Sequence, residues 1–199
     1  LKDIDPRVVT VIGAGVSGTP SIYKALENHA HVKVVDSSQK KLSQLESELG
    51  SENIEYILST DESVQSSINE SDLVIGSVYV VGKEAPKVVK KEMLKSMNPG
   101  TVMVDVSIDQ GGCFETSEPT THDKPTFLKN DIVHYCVTNM PGAVPLTATL
   151  ALNKATLSYI TELADKGIQK ALEENEHLNN GLNISNGNII HPGVKEALD

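Results

Sequence analysis

Apolar and polar positions fall into blocks of two kinds along the chain. Val8-Val9-Thr10-Val11-Ile12 is an unbroken β-branched run. That is the pattern of a strand buried on both faces in a parallel sheet. Short apolar runs recur at Val32 to Val35, Ile54 to Leu58, Leu73 to Val78, Thr101 to Ser107 and Ile132 to Val137. Between them the spacing turns helical. From Val16 to about His29, Ile22 and Leu26 share one face, and Pro20 fits because it lies in the first turn. Ser37 or Ser38 caps a helix with a Leu42, Leu45, Leu49 stripe that Gly50 ends. A short polar helix covers Glu62 to Asn69. Pro86 opens a further helix with Val89, Met93 and Met97 on one face, stopped by Asn98-Pro99-Gly100. A polar loop from Asp109 to Asn130 precedes the last strand.

Strands alternating with helices at this spacing predict an α/β fold. It is a doubly wound parallel sheet, Rossmann-like, with strand order 3-2-1-4-5-6 and a C-terminal helical extension. Residues 1–144 form the sheet domain. Within 145–199, Leu150, Leu157, Ile160 and Ala164 share one face of a long helix ended by Gly167. A second, polar helix covers about Ile168 to Leu178, and an Asn/Gly-rich loop follows. In such a sheet, ligands bind outside the carboxyl ends of the strands. The candidates are therefore Gly13 to Gly18, Asp36, Ser59, Val78-Tyr79, Ser107 to Asp109 and Thr138 to Met140.

The first strand runs into Gly13-Ala14-Gly15-Val16-Ser17-Gly18, a G-x-G-x-x-G spacing. Gly13 permits a tight turn, Gly15 lets a pyrophosphate approach the backbone, and Gly18 lets the helix pack against the strand. The helix N-terminus then points free N–H groups at the phosphates. The second strand ends in Asp36, where an acid can bind ribose hydroxyls; the same side chain can also cap the next helix. No arginine follows Asp36, so the pattern favours NAD over NADP.

The formal net charge of −10 argues against nucleic acid and anionic membrane as partners. No apolar run approaches the length needed to cross a bilayer, and the opening Leu1 to Arg7 is too charged for a signal peptide. The lack of an initiator Met points to a piece of a longer chain. Cys113 and Cys136 read as reduced, packed thiols of a cytoplasmic protein. No His, Cys or carboxylate cluster has metal-ligand spacing, and no G-x-S-x-G elbow supports a hydrolase. His122 reads as a loop hydrogen-bonding residue, with a substrate contact as the alternative, His134 as packing, and Asp105 as structural. Lys87, Lys90, Lys91 and Lys95 read as the solvated face of the helix after Pro86.

Several stretches together resemble bacterial alanine dehydrogenase. They are Val104-Asp105-Val106-Ser107-Ile108-Asp109-Gln110-Gly111-Gly112, Pro119-Thr120-Thr121-His122-Asp123, Val133-His134-Tyr135, and Asn139-Met140-Pro141-Gly142-Ala143-Val144-Pro145. The resemblance covers essentially the whole chain. The related transhydrogenase α-subunit typically has an Ala-Glu-Ala-Gly-Gly type run where this chain has Ile108-Asp109-Gln110-Gly111-Gly112, which favours the dehydrogenase. The resemblance implies NAD as cofactor and reversible oxidative deamination of L-alanine to pyruvate and ammonia. It implies that Val16 and Ser17 line the pyrophosphate turn. Asp36 would bind ribose with Lys41 nearby, and Ser59, Val78 and Tyr79 would border the adenine. Val106, Ser107, Ile108 and Asp109, with Val137, Thr138, Asn139 and Met140, would hold the nicotinamide half. Asp109 matches the family's active-site aspartate. Glu118 departs from the family, some of whose members carry a basic residue there that helps hold the cofactor; Pro20 is a second departure.

The family is about twice this length, and its N-terminal half builds most of the substrate site. The resemblance therefore implies a C-terminal half, inactive alone, whose helices pack on the substrate domain, in a homo-oligomer that is a hexamer in the family. A non-catalytic NAD-binding module, or a transhydrogenase-like nucleotide domain, is the alternative. Removing hydride from an amino acid leaves a cationic imine, which a carboxylate beside the nicotinamide can stabilise. That is a chemical reason for Asp109 at a strand end; a turn or cap acid is the plainer reading.

Overall fold

A computed structural model of the chain describes residues 7–80 and 84–198. The opening stretch through Pro6 lies outside them. The described residues form two compact units, 7–80 with 84–138, and 139–198. The expected boundary after residue 144 thus falls inside the second unit.

The first unit is built on β1 (Val8–Ile12), β2 (His31–Asp36), β3 (Ile54–Leu58), β4 (Leu73–Gly76), β5 (Val102–Asp105), β6 (Thr126–Lys129) and β7 (Ile132–Tyr135). They lie in the order β3-β2-β1-β4-β5-β7-β6, and every pairing is parallel except β6 with β7. From β1 the sheet grows first toward β2 and β3, then on the other side toward β4 and β5. This reversal opens a crevice at the carboxyl ends of β1 and β4. Separate cores lie on the two faces of the sheet, with Val9 and Val11 in one and Ile12 in the other, which is why the β1 run is buried on both faces.

Helices α1 (Gly18–Glu27) and α2 (Gln39–Leu49) supply Ile22, Leu42 and Leu45 to a core with Val9, Val11, Val32 and Val34. Helix α3 (Asp61–Asn69) supplies Val64 and Ile68 to a second core with Ile12, Val35, Val74 and Met103. Ser38 caps α2, and Thr60 and Ser63 form a capping box at the head of α3.

Two expected elements of this unit differ. The helix expected after Pro86 does not form. Residues 85–89 form no helix, because their backbone bonds to the loop opposite: Ala85 N–H to Gln110 O, Val88 N–H to Cys113 O, and Glu115 N–H to Val89 O, with one isolated bridge between Val89 and Phe114. Only Lys91–Ser96 coils, as a 3-10 turn. Val89, Met93 and Met97 are nonetheless buried, so the apolar positions reach the core without helical geometry. The polar loop before the last strand contains β6. It joins β7 through Asn130 and Asp131, both left-handed (φ 54° and 59°), in a two-residue hairpin. It is an edge strand, so only part of it is apolar.

The second unit opens with a 3-10 turn, Met140–Ala143, followed by α4 (Pro145–Lys166). The expected polar helix is two helices, α5 (Ile168–Glu174) and α6 (Glu176–Asn180). Asn175 breaks it: its backbone is extended, and its side chain accepts from the N–H groups of His177 and Leu178. The Asn-rich tail is also more ordered than expected. β8 (Ile184–Ser185) and β9 (Asn188–Ile189) pair around Asn186-Gly187, and α7 (Pro192–Leu198) follows.

Candidate functional site

Each glycine of the turn has a different geometric reason. Gly13 sits at φ 92°, and a Cβ there would meet Ser77 O at 2.6 Å. A Cβ at Gly18 would meet Gly13 O at 1.8 Å. Gly15 is the contrast: nothing lies within 4 Å of where its Cβ would stand. Gly13 and Gly18 are required by the fold, whereas the space at Gly15 is open. Val16, 95% exposed, sits beside it at the head of α1. The first turn of α1 carries no acidic residue to offset its positive end. This open backbone at a helix N-terminus fits an anionic pyrophosphate.

Asp36 closes the other side of the turn. One carboxylate oxygen accepts from Ala14 N–H (2.8 Å) and the other from Ser38 N–H (2.8 Å). Lys41 Nζ stands 3.6 Å away. Asp36 therefore ties the glycine turn to the start of α2, as well as facing the cleft. Cap and ligand readings coexist in one side chain.

A cleft of about 700 Å³ runs along the carboxyl edge of the sheet. Gly13, Gly15, Val16, Ser17, Asp36, Lys41 and Ser59 line it at one end of the predicted set, and Val78, Tyr79, Val106, Ser107 and Asp109 continue it. Not every predicted residue offers a side chain to it. Gly18 is packed behind the turn, and Ile108 and Val137 are buried. Thr138 is exposed and bonds through its N–H to Thr120 O (3.1 Å). Asn139 and Met140 belong to the second unit. The cleft also takes in residues the sequence did not single out, among them Ser77, Pro86 and Gln110. Ser77 donates to Gly13 O (2.6 Å), bracing the turn from β4. Its place at a strand end was the available signal.

Asp109 stands on the 3-10 turn Ile108–Gln110, just past β5. Asp105, four residues earlier, points into the fold. It is fully buried and accepts from the N–H groups of Ser107, Cys113 and Phe114 and from the Ser117 hydroxyl. The lysine run does not form one solvated face. Lys87 Nζ donates to the carbonyls of Gly111 and Gly112, and Lys90 pairs with Asp61 (2.5 Å). Glu118 pairs with Lys129 (2.7 Å), which lowers its pKa, and it does not line the cleft.

His134 is packed inside β7 and stacks on Phe127. Its Nδ1 lies 3.2 Å from Ile132 O and its Nε2 2.8 Å from the Thr116 hydroxyl. A carbonyl only accepts, so Nδ1 carries the proton and Thr116 donates to Nε2. Burial pushes the His134 pKa down and both thiol pKa values up. Among the described residues no group of His, Cys, Asp or Glu could hold a metal ion. No described helix is long and apolar enough to cross a membrane.

The reversed parallel sheet, the glycine turn and the cleft at its mouth define a doubly wound, Rossmann-like nucleotide-binding fold. Residues 1–192 match the family model described as alanine dehydrogenase/PNT, C-terminal domain, and the chain belongs to that family of NAD-binding domains. It is 47% identical to an alanine dehydrogenase of Halomonas elongata, over 98% of this chain and 52% of that protein. A solved L-alanine dehydrogenase superposes with a TM-score of 0.87 at 41% identity, over 100% of this chain and 54% of that one. A transhydrogenase from Sinorhizobium meliloti is more distant, with a TM-score of 0.72 at 25% identity, over 94% of this chain and 51% of that one. The chain thus spans about half the length of the curated relatives it matches.

Proposed function

We propose that the chain is the NAD-binding half of an L-alanine dehydrogenase, which interconverts L-alanine with pyruvate and ammonia. The observation that carries this reading is that one cleft joins the open glycine turn, Asp36 and Asp109. The identity to named alanine dehydrogenases supports L-alanine as the substrate.

When bound, NAD supplies the hydride acceptor. The turn N–H groups at Val16 and Ser17 would hold the pyrophosphate, and Asp36 the ribose hydroxyls. The Asp36 carboxylate repels a 2′-phosphate, so NAD is favoured over NADP. Ser59, Val78 and Tyr79 would border the adenine, with Val106 to Asp109 at the other end. Val137 to Met140 are assigned to the nicotinamide half by the resemblance alone. The Asp109 carboxylate would steady the positive charge of the imine left by hydride loss and take a proton from the water that attacks it. The substrate carboxylate is held by the other half of the enzyme, against which residues 145–199 pack. The whole enzyme is a cytoplasmic homo-oligomer.

The test is Asp109→Asn in the complete enzyme. Asn keeps the size of the side chain and loses its charge and its ability to take up and return a proton. Expected are a kcat lowered about a hundredfold to ten-thousandfold, with NAD affinity and melting temperature nearly unchanged. A variant that is destabilised yet fully active would make Asp109 a structural cap and remove it from the chemistry.

A further inference from the structure

Two charged side chains hold the loop that carries Asp109, and they grip opposite kinds of backbone group. Asp105 ends β5 and takes donors. Its carboxylate accepts from Ser107 N–H (3.0 Å), Cys113 N–H (2.9 Å), Phe114 N–H (3.2 Å) and the Ser117 hydroxyl (2.5 Å). These donors straddle Asp109 in sequence. Lys87 takes the acceptors, donating to the carbonyls of Gly111 and Gly112 (2.7 Å for the latter). Both glycines are left-handed, at φ 84° and 78°, so the chain doubles back where Lys87 holds it. The two grips come from different parts of the chain: Asp105 ends β5, and Lys87 lies in the irregular segment before the 3-10 turn Lys91–Ser96.

Asp109 has no such anchor of its own. Among the described residues no hydrogen bond or ion pair reaches its carboxylate. Its place in the cleft is set by the backbone on either side. A reacting group must be held to within a fraction of an ångström, and a misplacement of about 1 Å can cost about a hundredfold in rate.

We propose that Asp105 and Lys87 are positioning residues, which lock the backbone from Ser107 to Ser117 so that Asp109 is presented to the cleft. This inference rests on the chemical role assigned to Asp109 above. Asp105→Asn turns an amide N–H toward a cluster of donors and is expected to lower the melting temperature. Lys87→Met keeps the packed stem, removes only the ammonium, and is the deciding variant.

In this chain, Lys87→Met should speed amide hydrogen exchange at Gln110 to Gly112 by about tenfold, with protection of β1 and β5 unchanged. In the complete enzyme it should lower kcat about tenfold to a hundredfold, leave the KM for L-alanine within about threefold, and be largely restored in Lys87→Arg. Combined with Asp109→Asn, it should add no further loss, because both changes disable the same group. Unchanged loop exchange, or an equal loss with and without the Asp109 carboxylate, would overturn the proposal. A full kcat in Asp109→Asn would instead overturn the reading of Asp109. A lowered kcat there, with Lys87→Met unaffected, would overturn only the positioning role.

Discussion

His134 shows what burial does to a single residue. Its ring is enclosed in β7, stacked on Phe127, with the protonated Nδ1 on a carbonyl and the bare Nε2 taking the Thr116 hydroxyl. Protonating Nε2 would remove the lone pair that accepts the Thr116 hydroxyl and place a charge inside the core. Its pKa is accordingly lowered from 6.5 by desolvation. A group whose folded pKa is depressed stabilises the fold above its unfolded value, and that contribution is lost as pH falls through the folded value. Denaturant midpoints should therefore fall as pH drops below 6.5, before most carboxylates titrate. His134→Gln should flatten that part of the profile, and an unchanged profile would show that the ring stays accessible to protons. The sequence identified His134 as packing from its position within an apolar run. It could not identify Thr116, eighteen residues away, as the group that fixes the tautomer.

The turn between β1 and α1 separates what folding needs from what binding needs. A methyl at Gly18 would fall 1.8 Å from Gly13 O, so Gly18→Ala must push α1 off the strand. The expected cost is about 3 kcal/mol, seen as a lower denaturant midpoint. A methyl at Gly15 meets nothing within 4 Å, so Gly15→Ala should fold with a near-normal melting temperature. It should nevertheless bind NAD at least about tenfold more weakly, because the methyl fills the approach to the backbone. Calorimetric titration of the two variants distinguishes these effects, and normal NAD affinity in Gly15→Ala would remove the turn from the binding site. The β1 run and this turn were legible because pattern and chemistry agree there. The segment 85–97 was not. Its apolar spacing suits a helix, but its hydrogen-bond partners lie in the 110–115 loop, a long-range fact that local periodicity does not carry. β6 was hidden for a related reason, since an edge strand needs only one apolar face.

At the scale of the whole molecule, the cleft holds the means to bind a dinucleotide and little to hold an amino acid. Lys41 is the only cation among the described residues that line it, and Lys41 stands beside Asp36. Lys87, close in sequence to the cleft-lining Pro86 and Val88, is committed to the Gly111 and Gly112 carbonyls. Nothing in this set is placed to fix a substrate carboxylate near Asp109. The second unit points the same way. Helix α4 runs 22 residues with none buried, and Leu146, Leu150, Leu157 and Ile160 are all exposed along it. An apolar helix face of that length is normally covered. The helix was legible from its spacing, while what covers its apolar face is not written in that spacing. The purified chain should therefore bind NAD and yet form no NADH from L-alanine. Orienting the two reactants is worth an effective molarity of about 10⁵ M or more, and that term is absent when one reactant has no site. Supplying the remaining half of the relatives' length, fused or in trans, should restore turnover. It should also slow amide exchange along α4 as its apolar stripe is covered. Sustained NADH production from the chain alone would place the substrate site within these residues and overturn the division of labour argued here.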